Sequence, residues 1–143
     1  NSYAKYADRL MESLLMQTIP VMEKKTGLKL IPTYSYCRLY KKGNILNRHK
    51  DRPSCEISTT LCLGGDNWPI YLDPTGENTV IDEYKGVIKP NAPKGIEVNL
   101  KQGDMLIYSG CGQVFLHYNH AEGKFAKSNY LDGRKILGVP KNV

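Results

Sequence analysis

The sequence predicts a mainly β fold, an all-β barrel or sandwich of jelly-roll type with one N-terminal helical segment packed beside the sheet. Three observations carry this. Helical apolar periodicity is confined to residues 1–27. Beyond them, short β-branched or aromatic runs recur, and clusters of Gly, Pro, Asn and Asp separate them. A chain of 143 residues suffices for one domain but is too short for two ordinary ones.

Residues 3–26 read as helix, because Ala7, Leu10, Leu14 and Met22 follow a repeat of roughly 3.6 residues and Gly27 is placed to end it. Pro20 is expected to split or kink this segment, with Thr18 capping the second piece. Downstream, TYSYCRLY (33–40), EISTTLCLG (56–64), WPIYLD (68–73), IEVNL (96–100), DMLIYSG (104–110) and QVFLHYN (113–119) read as strands. KKGN, GGDN, DPTGEN, KPNAPKG and KQGD supply the breaks. The chain thus divides into helical support (1–27), a β core (28–120) and a C-terminal extension (121–143) within one domain.

Composition excludes several classes. Charged residues at 24% and apolar ones at 41%, with no long apolar run, exclude a membrane span. The opening NSYAKYADRL has neither a signal-peptide core nor an arginine-rich presequence bias, so the cytoplasm is the default location. Cys37, Cys55, Cys62 and Cys111 are widely spaced and form no CxxC, which argues for packed thiols and against a disulfide framework. The net charge of +6 favours anionic partners, but the Lys and Arg residues are scattered and no aromatic–basic interleaving marks a nucleic-acid platform. The sequence does not specify an oligomeric state.

Two stretches carry candidate chemistry. In TYSYCRLY the period of two places Tyr34, Tyr36, Arg38 and Tyr40 on one face, which suits either a solvated surface or a polar cavity. In NRHKDRPSCE, a strand continuing through 45–51 would project His49 and Asp51 from the same side, their Cα atoms about 6.6 Å apart. An imidazole and a carboxylate can converge on one ion, and two histidines with one carboxylate suit a non-haem Fe(II) centre. On its own an HxD reads first as a surface histidine beside a solvated carboxylate.

The run from YCRLYKKGNILNRHKDRPSCEISTTLCLGGDNWPIYLD to KQGDMLIYSGC and QVFLHYN resembles the small prolyl-4-hydroxylase-like branch of the 2-oxoglutarate and Fe(II)-dependent dioxygenases, over residues 28–120. The resemblance implies a double-stranded β-helix, cupin-like, with His49 and Asp51 as catalytic metal ligands. It makes Tyr40 a cosubstrate-binding tyrosine, with Arg38 as the proposed cation for the remote carboxylate of 2-oxoglutarate. Arg52 and Glu56 would brace the metal strand; an ion pair with Glu56 is the rival role for Arg38. The implied reaction is oxidative decarboxylation of 2-oxoglutarate with O₂, giving succinate, carbon dioxide and a hydroxylated C–H position. Fe(II) is the cofactor and ascorbate an accessory reductant. The family-level substrate is a prolyl residue of a peptide or protein, with a small molecule as the other class. A nucleic-acid-repair dioxygenase and an inactive jelly-roll binding module are the alternatives.

The resemblance fails at one place. It calls for a second metal-binding histidine and a loop after GDMLIYSGC, yet SGC runs straight into GQVFLHYN. His117 reads as a wall residue of the last core strand held by hydrogen bonds, and His120 as part of a polar turn. A single glycine between strands ending at Cys111 and starting at Gln113 is shorter than the usual two-residue hairpin loop. The expectation is therefore a break at Cys111 to Gly112, where residues carrying the third ligand are missing.

Overall fold

The structure is a computed structural model that describes residues 2–47, 49, 51–75, 79–82, 85–88, 91–109 and 115–140. It is mainly antiparallel β. Strands β1 (Tyr3–Tyr6), β2 (Leu30–Leu39), β3 (Ile57–Leu61), β8 (Met105–Tyr108) and β9 (Phe115–His120) form one five-stranded sheet in the order β1-β2-β9-β3-β8. β4 (Ile70–Leu72) pairs with β7 (Ile96–Val98), and β5 (Thr79–Asp82) with β6 (Lys85–Ile88). The β5–β6 hairpin was not among the sequence-predicted strands. The Cys111–Gly112 junction lies outside the described residues. Among the described residues no helix is long and apolar enough to cross a membrane.

The N-terminal segment departs from the predicted helix in two ways. Residues 3–6 are strand, paired along β2 from Tyr3↔Leu39 to Tyr6↔Tyr36, and helix α1 begins only at Arg9 and runs to Thr26. The reason is local. Ala7 turns the chain with a φ of 53°, and Asp8 caps the helix by accepting from the amides of Leu10 and Met11 at 3.0 and 3.4 Å. Gly27 ends α1 in the left-handed conformation that a residue without Cβ adopts cheaply, donating to the Glu23 carbonyl. Pro20 does not split α1. Its ring and Met16, whose carbonyl loses the usual donor, sit on the exposed face. Thr18, instead of capping, donates back to the Leu14 carbonyl at 2.8 Å.

Alternation divides the main sheet into two faces. Leu116 and Tyr118 of β9 meet Leu15 and Met22 of α1 and Leu30 of β2 in the apolar core, with Ile57, Met105 and Ile107 around it. Each fully buried aliphatic side chain there contributes about 1.5–3 kcal/mol. Tyr118 donates to the Leu15 carbonyl at 2.9 Å, tying sheet to helix. Phe115 and His117, one residue out of phase, face the other way with Tyr36, Tyr34 and Ser58.

The two faces owe their phase to one residue. The β2–β9 register shifts between Pro32 and Tyr34, so Thr33 is extra, and Leu30 and Pro32 share the helix face with Ser35 instead of with Tyr34. The bulge aims Tyr34, Tyr36, Arg38 and Tyr40 away from the helix.

A C-terminal segment closes the helix side. After α2 (Ala126–Asn129) and a 3₁₀ turn (Tyr130–Gly133), the buried Arg134 pairs with the buried Glu12 of α1 at 2.9 Å and donates to the Thr33 carbonyl at 2.8 Å. Glu12 also accepts from the Ser35 amide and hydroxyl, each at 2.9 Å.

Candidate metal centre

His49 and Asp51 lie in irregular chain between β2 and a 3₁₀ turn at Pro53–Cys55, not on a strand. The strand expectation fails because the Asn47 carbonyl bonds His49 Nδ1 at 2.8 Å, within the same segment, and Pro53 begins the 3₁₀ turn just beyond Asp51. The two side chains still meet, with His49 Nε2 3.4 Å from Asp51 Oδ1. The Asp51 carboxylate holds the His49 imidazole above its usual pKa. The other carboxylate oxygen, Asp51 Oδ2, is buried and has no hydrogen-bond partner among the described residues.

The turn at Pro53–Cys55 brings Cys55 back beside Asp51, and β9 delivers His117 from the sheet. One ligand atom from each of Asp51, Cys55 and His117 lies within 4.8 Å of the other two, making a possible three-residue metal-binding group. His49 approaches this group through Asp51 without belonging to it. His120, at the end of β9, has the phase of Tyr118 and stays outside.

Each member of the group has an identifiable support. His117 is almost fully buried, packed against the Tyr34 and Phe115 rings at centroid distances of 4.4 and 5.3 Å. Burial pushes its pKa down to about 3, so the ring is neutral and keeps a lone pair. Its Nδ1 lies 2.8 Å from Ser58 Oγ, directly across the β3–β9 ladder. Burial first, and then the Asp51 charge, push the Cys55 thiol up to about 12; its sulfur lies 3.0 Å from the Tyr34 hydroxyl. Among the described residues Cys37, Cys55 and Cys62 are free thiols.

Arg52 and Glu56 hold this region from outside. Arg52 lies over the Tyr34 ring at 4.5 Å and pairs with Asp132 at 2.9 Å, and Tyr6 also donates to Asp132. Leu131 and Asp132 take the left-handed conformation, with φ of 48° and 55°, which costs about 1 kcal/mol or more per residue. That strain is offset by three donors on one buried carboxylate, Ser54 being the third. Glu56 accepts from Asn119 Nδ2 and the His120 amide, each at 3.1 Å, so it braces β9 and is not shown as the partner of Arg38.

Arg38 and Tyr40 line a cleft of about 550 Å³ with Trp68, Lys41, Lys42 and Cys62. His49, Asp51 and Tyr36 are not in its lining. Arg38 lies 4.7 Å from the Tyr40 ring centroid and donates from Nε to Ser2 at 2.7 Å. Among the described residues the Tyr40 hydroxyl is buried without a hydrogen-bond partner, and burial raises its pKa. Trp68 meets the Tyr40 ring edge-on at 4.4 Å.

Comparison with protein-family models, curated proteins and solved structures finds no match. Sequence reasoning left out Cys55, read as a packed thiol, and took His117 as a wall residue. One signal was available for the first, since Asp51 and Cys55 flank a proline that favours a turn. Nothing in the sequence reveals that Tyr34, Ser58 and His117 become neighbours, because that depends on the β2–β9–β3 register.

Proposed function

We propose that this chain is a metal-dependent oxygenase domain of the 2-oxoglutarate/Fe(II) type, built on a jelly-roll-like β framework, with Asp51 as its metal-binding carboxylate. The observation that carries the reading is the buried Asp51 Oδ2, without a partner among the described residues, beside His49 and within reach of Cys55 and His117. A carboxylate oxygen denied water costs several kcal/mol unless something pairs with it, and a cation does so directly.

The donor chemistry fits a divalent transition metal: a carboxylate, neutral imidazole and thiol surround one small region. When bound, Fe(II) supplies the activation of O₂ that no side chain provides. The chain's own residues bind and orient. In this reading the Arg38 guanidinium and the Tyr40 hydroxyl take the remote carboxylate of 2-oxoglutarate in the cleft they line, with Lys41 and Lys42 adding positive charge. The Tyr34, Phe115 and His117 rings exclude water from the buried side. A prolyl residue of a peptide is the substrate that the sequence resemblance suggests.

Succinate release, followed with Fe(II), 2-oxoglutarate, O₂ and prolyl peptides, is the test. Turnover is expected from the native chain and at least ~100-fold less from Asp51→Ala. Equal turnover by both overturns the role of Asp51. A chain that binds Fe(II) without forming succinate is not an oxygenase. A second reading, a metal-free binding module, is favoured by the absence of a histidine where the resemblance places the third ligand; it predicts no metal uptake.

A further inference from the structure

A 2-His-1-carboxylate centre would group Asp51 with two histidines, whereas the set drawn together here contains one histidine and a thiol. We propose that Asp51, Cys55 and His117 form a thiolate-containing site for a borderline-soft divalent ion of the zinc(II) and cobalt(II) class. This rests only on the metal-binding part of the function proposed above, since a zinc(II) ion in the site would supply Lewis-acid chemistry in place of O₂ activation.

Donors bonded tetrahedrally to one ion at roughly 2.0–2.3 Å lie about 3.3–3.7 Å apart. Separations no greater than 4.8 Å therefore close with movements of up to about 1 Å, shared among three side chains. Asp51 Oδ2, without a partner among the described residues, independently points to a ligand, because a buried acceptor calls for a donor or a cation.

Ser58 Oγ lies 3.2 Å from the Cys55 carbonyl and 2.8 Å from His117 Nδ1. In the tautomer that binds metal through Nε2, Ser58 donates to that carbonyl and accepts from Nδ1–H. Tyr34 is the matching outer partner of sulfur: its hydroxyl, 3.0 Å away, donates to a thiolate more strongly than to a thiol. His49, bonded to the second oxygen of Asp51, orients the carboxylate from the outside.

On binding, the Cys55 S–H proton passes to the buffer as the sulfur–metal bond forms. Thiolate and imidazole select against Mg²⁺ and Ca²⁺, which require oxygen ligands. Three protein ligands leave one tetrahedral position for water or substrate.

The test uses the full chain stripped with chelator and titrated with Co(II), with Zn(II) affinity read by competition against a chromophoric chelator. The native chain is expected to show a thiolate-to-cobalt charge-transfer band in the near ultraviolet. X-ray absorption of the zinc form should show one sulfur scatterer at about 2.3 Å. Cys55→Ser should lose the band and weaken Zn(II) at least ~10-fold, whereas Cys62→Ser should keep both. Metal uptake with no sulfur scatterer and no band overturns thiolate ligation while leaving a metal site at Asp51 intact. No uptake of Co(II), Zn(II) or Fe(II) overturns this proposal and the metal-dependent function together.

Discussion

Leu116 and His117 are neighbours in β9, yet they belong to two different environments. On the Leu116 face, α1 covers the sheet with aliphatic side chains, and its one buried charge, Glu12, is met by Arg134 and Ser35. On the His117 face lie rings, hydroxyls and a thiol, and among the described residues the buried Asp51 Oδ2, Asn119 Oδ1 and Tyr40 hydroxyl have no hydrogen-bond partner; on the helix side Arg134 Nη1 also makes no hydrogen bond, but it lies 2.9 Å from the Glu12 carboxylate. Both faces are buried from water, so burial alone does not distinguish them. The difference is whether each polar group already has its partner within the chain. A partnered face holds the fold together, and a face with unpartnered acceptors is available to a ligand.

The largest effect should come from breaking the closed face. Glu12→Ala leaves Arg134 charged and buried, and should lower unfolding free energy by about 3–5 kcal/mol in urea titrations, with metal affinity per folded molecule unchanged. A loss below about 1 kcal/mol would mean that the pair is not the support described.

Acid should act next, and on the other face. The unfolded chain protonates its histidine near 6.5, whereas folded His117 resists until about 3, so between those values the unfolded state binds more protons. The stability associated with His117 is therefore complete above pH 6.5 and falls by up to about 1.4 kcal/mol per unit as pH drops through this window. Denaturation midpoints measured from pH 7 to 4 should fall for the native chain and flatten in His117→Phe. An equal slope in both would place the titration elsewhere.

The smallest effect on the metal-free fold is expected at Asp51. Asp51→Asn removes a charge that has one buried oxygen without a partner among the described residues, so metal-free stability should not fall by more than about 1 kcal/mol. The same variant should lose the rise in melting temperature that Zn(II) gives the native chain. A large loss of metal-free stability would show Asp51 to be part of the closed network after all.

The sequence by itself determined the mainly β character, the Gly27 stop and the shared face of Tyr34, Tyr36 and Arg38, since these follow from local periodicity and turn chemistry, but not the direction of that face, which the bulge at Thr33 sets. It also drew attention to His49 and Asp51, whose two-residue spacing keeps them within contact even without a strand. It misread residues 3–6 because a tyrosine–lysine alternation beside a helix has no signal of its own until β2 offers an edge. Only the tertiary structure decided that Thr33 is extra, that His117 stands across from Ser58, and that a turn at Pro53 brings Cys55 to Asp51. The physical reason is range. Periodicity is written in neighbouring residues, whereas a ligand set is drawn from strands whose register is fixed by the burial of the opposite face.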